Sequence, residues 1–278
     1  MATVSGKFCF KLAATMLASI MVSGCNSVMP FKPQAKESAN EIGAVASRKT
    51  PIVSPADVPL PRQDYNSAGE KVPYVPLPNP YTTGDATVSR EAKSIFVVAS
   101  DRLRGGDLGG ASAKFTMLTE KHPSLSGPWV KLGEIAEKQE KYVDAIEHYK
   151  KAISVNRNNV NAYIALGLVQ RRQGLFAGAH HAYLGALGVW KDFPEAHLNL
   201  AILYDLYLNE AEAAQKHYEA YYFLTGEKDK KVNKWLVEVK QRTGIEGSFV
   251  DIPPMQAAKV SEEKPDDTVS VATTRGSK

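Results

Sequence analysis

The sequence predicts an all-α protein, an array of stacked helix-turn-helix units with irregular segments on either side. An internal repeat of 34 residues runs through the middle of the chain. Prolines are concentrated in front of this repeat, where each removes a backbone donor and opposes regular secondary structure. Behind the repeat, one further segment has apolar residues at helical spacing. Residues 92 to 225 therefore carry most of the predicted fold.

The repeat is visible as six columns that recur in register in three successive units. Each unit supplies a bulky residue, a leucine and a small residue, and then an alanine, an aromatic residue or histidine, and another alanine. The columns are Trp129, Tyr163 and His197; Leu132, Leu166 and Leu200; Gly133, Gly167 and Ala201; Ala145, Ala179 and Ala213; Tyr149, Tyr183 and His217; Ala152, Ala186 and Ala220. One period upstream the second half returns as Ala111, Phe115, Leu118 and Pro123.

These columns resemble the tetratricopeptide repeat, whose pattern is a bulky residue, Leu, Gly, then Ala, an aromatic residue, Ala and Pro. The resemblance implies a right-handed superhelical array of about four repeats in residues 89–226. The implied repeats cover about 92–125, 126–159, 160–193 and 194–227. Because one helical hairpin cannot cover its own apolar face, stacking of neighbours supplies the core.

The residues in these columns also predict how closely the helices pack. We expect Gly133 and Gly167 to let the first helix of a unit approach the second, while Tyr149 fills the space between neighbours. His197 and His217 stand where the pattern has aromatic residues, which predicts looser packing in the last unit.

A final helix is predicted over residues 228–244. Val232, Trp235, Leu236 and Val239 follow helical spacing, which suits a helix that caps the open end of the stack. Its basic residues are expected on the solvent side, with anionic lipid or an acidic partner as the alternative to plain solvation: Lys228, Lys230, Lys231, Lys234, Lys240 and Arg242. Residues 245–278 are predicted to be a disordered tail.

The amino terminus has the composition of a secretory signal. Lys7 and Lys11 precede the apolar stretch 12–22, which is shorter than the roughly 20 residues that span a bilayer. The following sequence, Val-Ser-Gly-Cys ending at Cys25, resembles the cleavage site of a bacterial lipoprotein. The resemblance implies a signal peptide over residues 1–24, and covalent diacylglycerol and N-acyl lipid on Cys25. The alternative is an ordinary cleaved signal with an accidental cysteine.

The lipoprotein resemblance also indicates a location. An aspartate after the lipidated cysteine tends to retain such proteins at the inner membrane, and here that position holds Asn26. We therefore expect an outer-membrane lipoprotein that faces the periplasm. Residues 25–88 are predicted to be a proline-rich tether, within which the segment Val72–Pro78 has the character of a polyproline run suited to docking on the domain or a partner.

Composition and motifs do not point to an enzyme, a nucleic-acid binder or a metal protein. The formal charge is +4, and removing Lys7 and Lys11 with the signal peptide gives 4 − 2 = +2. The glycine-rich run 104–110 lacks the Lys-Ser/Thr of a phosphate loop and is expected to be a turn. His180 and His181 are adjacent and point about 100° apart on a helix, so they cannot face one metal. No cofactor other than the lipid is expected.

The repeat geometry predicts a protein-binding groove. In the family that the sequence resembles, the first helices line a concave surface, and this gives an apolar stripe edged with charge, suited to an amphipathic helix or an extended peptide of an envelope protein. The predicted groove residues are Phe96, Val130, Glu134, Asn161, Ile164, Leu168, Arg171, Arg172, Leu198, Asn199, Ile202 and Asp205. The alternative is that the proline-rich arm of the chain itself covers part of this surface.

The sequence therefore predicts a membrane-anchored scaffold or adaptor for cell-envelope assembly, such as pilus or secretin, cell-wall hydrolase or outer-membrane machinery. The alternative is an accessory component of a TonB-type energy-transducing import system. Self-association through open ends or convex faces is also open.

Overall fold

The computed structural model describes residues 60–83 and 87–254. The predicted signal peptide, Cys25, and the tether as far as residue 59 lie outside the described residues, as does the chain from residue 255. In the described part the helices are α1 (Arg90–Arg104), α2 (Leu108–Lys121), α3 (Gly127–Lys138), α4 (Tyr142–Val155), α5 (Val160–Arg172), α6 (Phe176–Val189), α7 (Pro194–Leu203), α8 (Ala211–Leu224) and α9 (Lys230–Thr243). A π-helical turn, Tyr204–Leu208, extends α7.

The first eight helices form four antiparallel pairs, each packed on the next, and α9 packs on α8. The predicted all-α array of four repeats with a capping helix is confirmed. Over residues 60–83 and 87–254 the extended pairing is limited to one isolated bridge, between Tyr65 and Lys71. None of the helices in these two ranges is long and apolar enough to cross a bilayer.

Side-chain caps begin four of the helices. Ser89 accepts a hydrogen bond from the Ala92 amide at the start of α1, and Asp107 caps α2. Asn159 and Asp229 do the same for α5 and α9. Each cap satisfies backbone donors that a helix start leaves without an intrahelical partner. The predicted turn in the run 104–110 joins α1 to α2, and Gly106 there has a φ of 84°.

The two glycines of the repeat columns lie under tyrosine rings. Tyr149 and Tyr183 are fully buried. A Cβ placed on Gly133 would lie less than 3.0 Å from three atoms of the Tyr149 ring, and one on Gly167 would meet the Tyr183 ring in the same way. The small residue on the first helix of each of these repeats therefore creates the space that the tyrosine of the second helix fills, as the sequence predicts.

The last repeat is not loosely packed, so that prediction is wrong. His197 and His217 are both buried, with their Nδ1 atoms 2.9 Å apart. His197 Nε2 lies 2.9 Å from the Lys191 carbonyl oxygen, and the His217 ring stacks on Tyr204. Two smaller imidazoles thus occupy the positions of larger aromatic rings, and their mutual contact and stacking keep the site closely packed. Burial lowers the pKa of His197 to about 4, so both rings are neutral at pH 7.

Helix α9 covers the end of the array with three buried residues, Val232, Leu236 and Val239. Trp235 packs against Tyr218, with ring centroids 6.0 Å apart. Two of the basic residues of α9 form ion pairs with the array instead of facing solvent alone. Lys240 forms an ion pair with Glu219 at 3.0 Å, and Arg242 forms one with Asp205, so these two hold the cap on the array.

The prediction of disordered flanks is corrected for residues 60–83 and 245–254, which pack on the array. Val250 is buried, and its carbonyl oxygen accepts from the Gln63 amide at 2.9 Å. Asp251 accepts hydrogen bonds from Tyr65 and Lys71. Proline-rich chain cannot form regular structure, but its restricted backbone loses little further entropy when it docks.

Residues 60–83, here called the arm, follow the loops that join successive repeats. A second group of the arm's contacts is with the loop after α6. The Asp192 carboxylate, 1 % exposed, accepts from the Tyr74 hydroxyl at 2.6 Å and from the Leu77 amide at 2.7 Å. Trp190 Nε1 donates to the Leu77 carbonyl at 2.7 Å, and Tyr74 packs edge-on against Phe223. The prediction that the Val72–Pro78 run docks on the domain agrees with these contacts.

Candidate binding surface

The predicted groove residues all lie on the first helices of the repeats or on the π-helical turn. Phe96 is on α1, Val130 and Glu134 are on α3, and Leu198, Asn199 and Ile202 are on α7, with Asp205 following in the turn. Helix α5 supplies the largest group, Asn161, Ile164, Leu168, Arg171 and Arg172. The surface therefore centres on α5, with α3 and α7 on its two sides.

Two of these residues offer no surface to a partner. Val130 is 8 % exposed and belongs to the core shared by the second and third repeats, and Ile202 is 3 % exposed. Their positions along the helix are those of groove residues, but neighbouring helices cover both side chains. The structure therefore corrects the predicted groove at these two positions.

The half-buried apolar residues form the stripe that remains. Ile164 and Leu168 are one helical turn apart on α5, and Leu198 lies on the neighbouring α7. Phe96 at the other end is half-buried and packs edge-on against Phe115, with ring centroids 5.4 Å apart. Among the predicted groove residues, the apolar side chains that remain open are therefore in the third and fourth repeats.

Ion pairs between repeats border this stripe. Tyr149 crosses α3 over Gly133, and its hydroxyl donates to Glu137 Oε1 at 2.5 Å. The other carboxylate oxygen of Glu137 accepts from Arg172 of the next repeat at 2.5 Å. This carboxylate makes the tyrosine harder to ionise, although burial is the main reason that the pKa of Tyr149 is raised. Glu134 pairs within its own helix with Lys131 at 2.7 Å.

The fourth repeat has an equivalent acidic position. Asp205 follows Ala201 by four residues, as Glu137 follows Gly133. It accepts from the Tyr218 hydroxyl at 3.3 Å and pairs with Arg242 of the capping helix. In both repeats a carboxylate on the groove side joins a tyrosine of its own repeat to an arginine of the next element.

The third repeat breaks this arrangement. Tyr183 crosses α5 over Gly167, and the residue four positions later is Arg171. Within residues 60–83 and 87–254, neither Tyr183 Oη nor Arg171 Nη1 has a hydrogen-bond partner, although both atoms are buried. In the third repeat Tyr183 and Arg171 are therefore both hydrogen-bond donors, whereas in the second and fourth repeats a tyrosine hydroxyl donates to a carboxylate.

The two groove asparagines differ in availability. Asn161 is exposed on α5, whereas the Asn199 side-chain amide already donates to the Glu195 carbonyl at 2.8 Å. Among the contacts described, only the side-chain amide of Asn161 is free to hydrogen-bond a peptide backbone.

The arm's described hydrogen bonds do not involve the predicted groove residues. Those to the array go to Asp192, Trp190, Val250, Asp251 and Ser126, and none of these is a predicted groove residue. The described hydrogen bonds thus do not support the alternative that the arm covers the groove.

Asp192 and Trp190, which hold the arm, were not predicted as functional residues. Their loop has no periodicity that would mark them, and the only related signal is the Tyr-Val-Pro-Leu-Pro composition of the arm itself. In the described residues no group of three or more His, Cys, Asp or Glu side chains is placed to hold a metal ion.

Two known family models match parts of the helical array. A family model described as TPR repeat matches residues 133–174, and a second, described as tetratricopeptide repeat, matches residues 164–229. The chain carries tetratricopeptide repeats. Together the two models match residues 133–229, which include helices α4 to α8 and the apolar residues Ile164, Leu168 and Leu198.

Individual relatives are similar over parts of the chain. A BBSome complex member BBS4 homolog of Drosophila melanogaster is 26 % identical over 96 residues, which is 34 % of this chain and 20 % of that protein. The chain thus spans about a fifth of that relative's length.

Two solved structures are similar to parts of this chain. MamA from Desulfovibrio magneticus is 16 % identical, with 57 % of this chain and 88 % of that chain covered and a TM-score of 0.47. A thermophilic TPR protein of Thermus thermophilus is 20 % identical, with coverages of 55 % and 82 % and a TM-score of 0.45.

Proposed function

We propose that this protein is a lipid-anchored periplasmic scaffold whose tetratricopeptide array recruits another cell-envelope protein. The observation that carries the proposal is the half-buried apolar stripe of Ile164, Leu168 and Leu198, bordered by charged residues of three repeats. An apolar stripe with charged edges suits an amphipathic helix or an extended segment of a protein partner.

The proposed location rests on the amino-terminal sequence. Its basic residues, short apolar stretch and Val-Ser-Gly-Cys motif support lipidation of Cys25, and Asn26 supports the outer membrane. Each buried methylene of an acyl chain contributes about 0.8 kcal/mol, so several chains would hold the protein on the membrane. The arm then provides the connection between the lipid and the array.

The binding role is tested by photo-crosslinking in the native bacterium. A photoreactive amino acid is placed in turn at Ile164 and Leu168, and at Lys150 on α4 as the control. We expect one envelope protein to be captured by both groove probes and not by the control. Its identity separates an assembly partner from a component of an energy-transducing import system. Capture of the same proteins at all three positions would contradict a specific groove.

The anchor is tested separately with matched cysteine variants. We expect Cys25→Ser to move the protein from the membrane fraction to the soluble fraction, whereas Cys9→Ser, in the predicted signal peptide, leaves it on the membrane. Retention of the Cys25→Ser protein on membranes would contradict the lipid anchor and leave the groove proposal untouched.

A further inference from the structure

The outer face of the capping helix α9 is basic. The buried face of this helix, with Val232, Leu236 and Val239, packs on the array. At 3.6 residues per turn, the positions opposite this face follow the spacing i, i+4, i+7 and i+11. The residues at these positions are all exposed: Lys230, Lys234, Val237 and Gln241. The helix has five basic residues and one acidic residue, Glu238, so its formal charge is 5 − 1 = +4.

The lysines at the start of α9 differ from the two basic residues that hold the cap. Lys240 and Arg242 pair with carboxylates of the array. Over residues 60–83 and 87–254 no ion pair is formed by Lys230, Lys231 or Lys234. The first turn of a helix favours negative charge because of the helix dipole. Lys230 and Lys231 occupy that turn, so their charge does not stabilise α9.

The arm makes its first contacts at this same end of the array. The Gln63 amide donates to the carbonyl oxygen of Val250, and the Tyr65 hydroxyl donates to Asp251, both in the segment that follows α9. Gln63 is 63 − 25 = 38 residues from Cys25 along the sequence, whereas α1 begins 90 − 25 = 65 residues from it. Of the two ends of the array, the capped end is therefore the nearer to the proposed lipid along the chain.

We propose that the outer face of α9 lies on the anionic phospholipid headgroups of the membrane that carries the lipid anchor. The inference relies on the proposed anchor to bring the membrane near. The positive charge comes from four exposed lysines: Lys228, Lys230, Lys231 and Lys234. The apolar face of α9 already packs on α8, so the contact is electrostatic and leaves the helix outside the hydrocarbon. A weak attraction is sufficient because the anchor keeps its local concentration high.

The composition of this face suits a lipid surface better than a protein partner. Val237, 48 % exposed, is the apolar member among the four residues of the outer face. Protein interfaces have an apolar core, whereas attraction to anionic headgroups requires only an excess of positive charge. Two exposed carboxylates, Glu227 and Glu238, reduce that excess, and four lysines against these two leave 4 − 2 = +2.

The first test measures binding to lipid vesicles without the anchor. The chain from residue 26 is produced without lipid and contains every residue that the structure describes. We expect it to sediment with vesicles of phosphatidylcholine and phosphatidylglycerol, not with vesicles of phosphatidylcholine alone, and to be released by added salt. Absence of binding, or equal binding to both kinds of vesicle, would overturn the proposal.

Matched lysine variants locate the contact. A lysine near an anionic surface strengthens binding by roughly fivefold, so Lys230→Gln and Lys234→Gln together should weaken binding by about 25-fold. The control combines Lys93→Gln and Lys138→Gln, which make the same change of charge at exposed positions of α1 and α3. The control should bind like the original chain. An equal loss in both double variants would show a response to net charge alone and would contradict a specific face.

A fluorophore tests the orientation directly. Cys9 and Cys25 both precede residue 26, so Val237→Cys supplies the single thiol of that chain. An environment-sensitive fluorophore attached there should shift its emission to shorter wavelength on anionic vesicles. The same fluorophore on Lys150→Cys, on α4, should not shift. An equal shift at both positions, or none at position 237, would refute the placement of α9 on the membrane.

Photo-crosslinking in the bacterium separates a lipid surface from an acidic protein. With a photoreactive amino acid at Val237 we expect phospholipid adducts. A protein adduct that disappears in the Lys230→Gln and Lys234→Gln chain would overturn the proposal, because the basic face would then bind an acidic partner. Since the vesicle tests use neither lipid anchor nor partner, a negative result there leaves the outcomes of Cys25→Ser and of the groove probes unaffected.

Discussion

Gly167→Ala tests the packing on which the repeat geometry depends. The added Cβ would lie less than 3.0 Å from three atoms of the Tyr183 ring, whereas carbon atoms in contact are normally about 3.5 to 4.0 Å apart. The ring must therefore move by roughly 1 Å, and it is fully buried, so it has no free space to enter. Overpacking of this kind costs about 1 to 3 kcal/mol, and full burial favours the upper end.

The net effect includes the helix propensity of alanine. Replacing glycine by alanine inside a helix gains about 1 kcal/mol, which offsets part of a cost of about 3 kcal/mol. We expect Gly167→Ala to lower the free energy of unfolding by about 2 kcal/mol and the midpoint by roughly 4 to 8 °C. Gly188→Ala is the matched control, because that glycine is exposed on α6 with nothing near its Cβ position, and it should gain about 0.5 kcal/mol.

The assay is thermal unfolding followed by far-ultraviolet circular dichroism. A double-mutant cycle with Tyr183→Leu separates the steric effect from backbone effects, since Gly167→Ala should cost less when the ring is absent, by at least about 1 kcal/mol. A Gly167→Ala protein as stable as the Gly188→Ala control would refute the placement of Tyr183 over Gly167.

Three further results are expected. Burial lowers the pKa of His197 to about 4, so the unfolded chain binds more protons as the pH falls below about 6.5, and His197 alone should cost stability on the order of 3 kcal/mol between pH 6.5 and 4. His197→Phe should weaken this dependence and leave the part that buried His217 causes, whereas His181→Gln, at an exposed histidine, should not change it. Ala179→Glu places an unpaired charge at a fully buried position and should prevent cooperative unfolding of the array; an unchanged midpoint would refute the register. Asp192→Ala removes the acceptor for Tyr74 and Leu77, so trypsin should cut the arm about tenfold faster or more, and an unchanged rate would show that other contacts hold it.

The sequence predicted the repeats because their packing is periodic. A small residue at Gly133 or Gly167 and a tyrosine sixteen positions later occur together only where two helices cross closely, and this coupling makes the register readable. It did not predict the pairing of His197 with His217, since the pattern marks those positions for size and says nothing of their mutual hydrogen bond.

The binding surface was predicted less completely than the fold. Helical position alone placed Val130 and Ile202 in the groove, but their burial depends on the neighbouring helices, which the local sequence does not specify. The docking of Tyr74 on Asp192 joins residues 118 positions apart in a segment without periodicity. The sequence shows that Glu137 and Arg171 occupy equivalent positions in their repeats. Only the structure shows that a tyrosine ring crosses the helix beside each of these positions.

The arm changes how this array should unfold. A repeat array with contacts only between neighbours behaves as a one-dimensional chain of units, and its ends can open independently. Here the arm contacts the loop before α3 through Tyr81, the loop after α6 through Leu77, and the carboxy-terminal segment through Gln63. Opening of one terminal repeat therefore releases contacts with distant units. The arm should suppress fraying at the capped end and make the loss of the four repeats a more cooperative event.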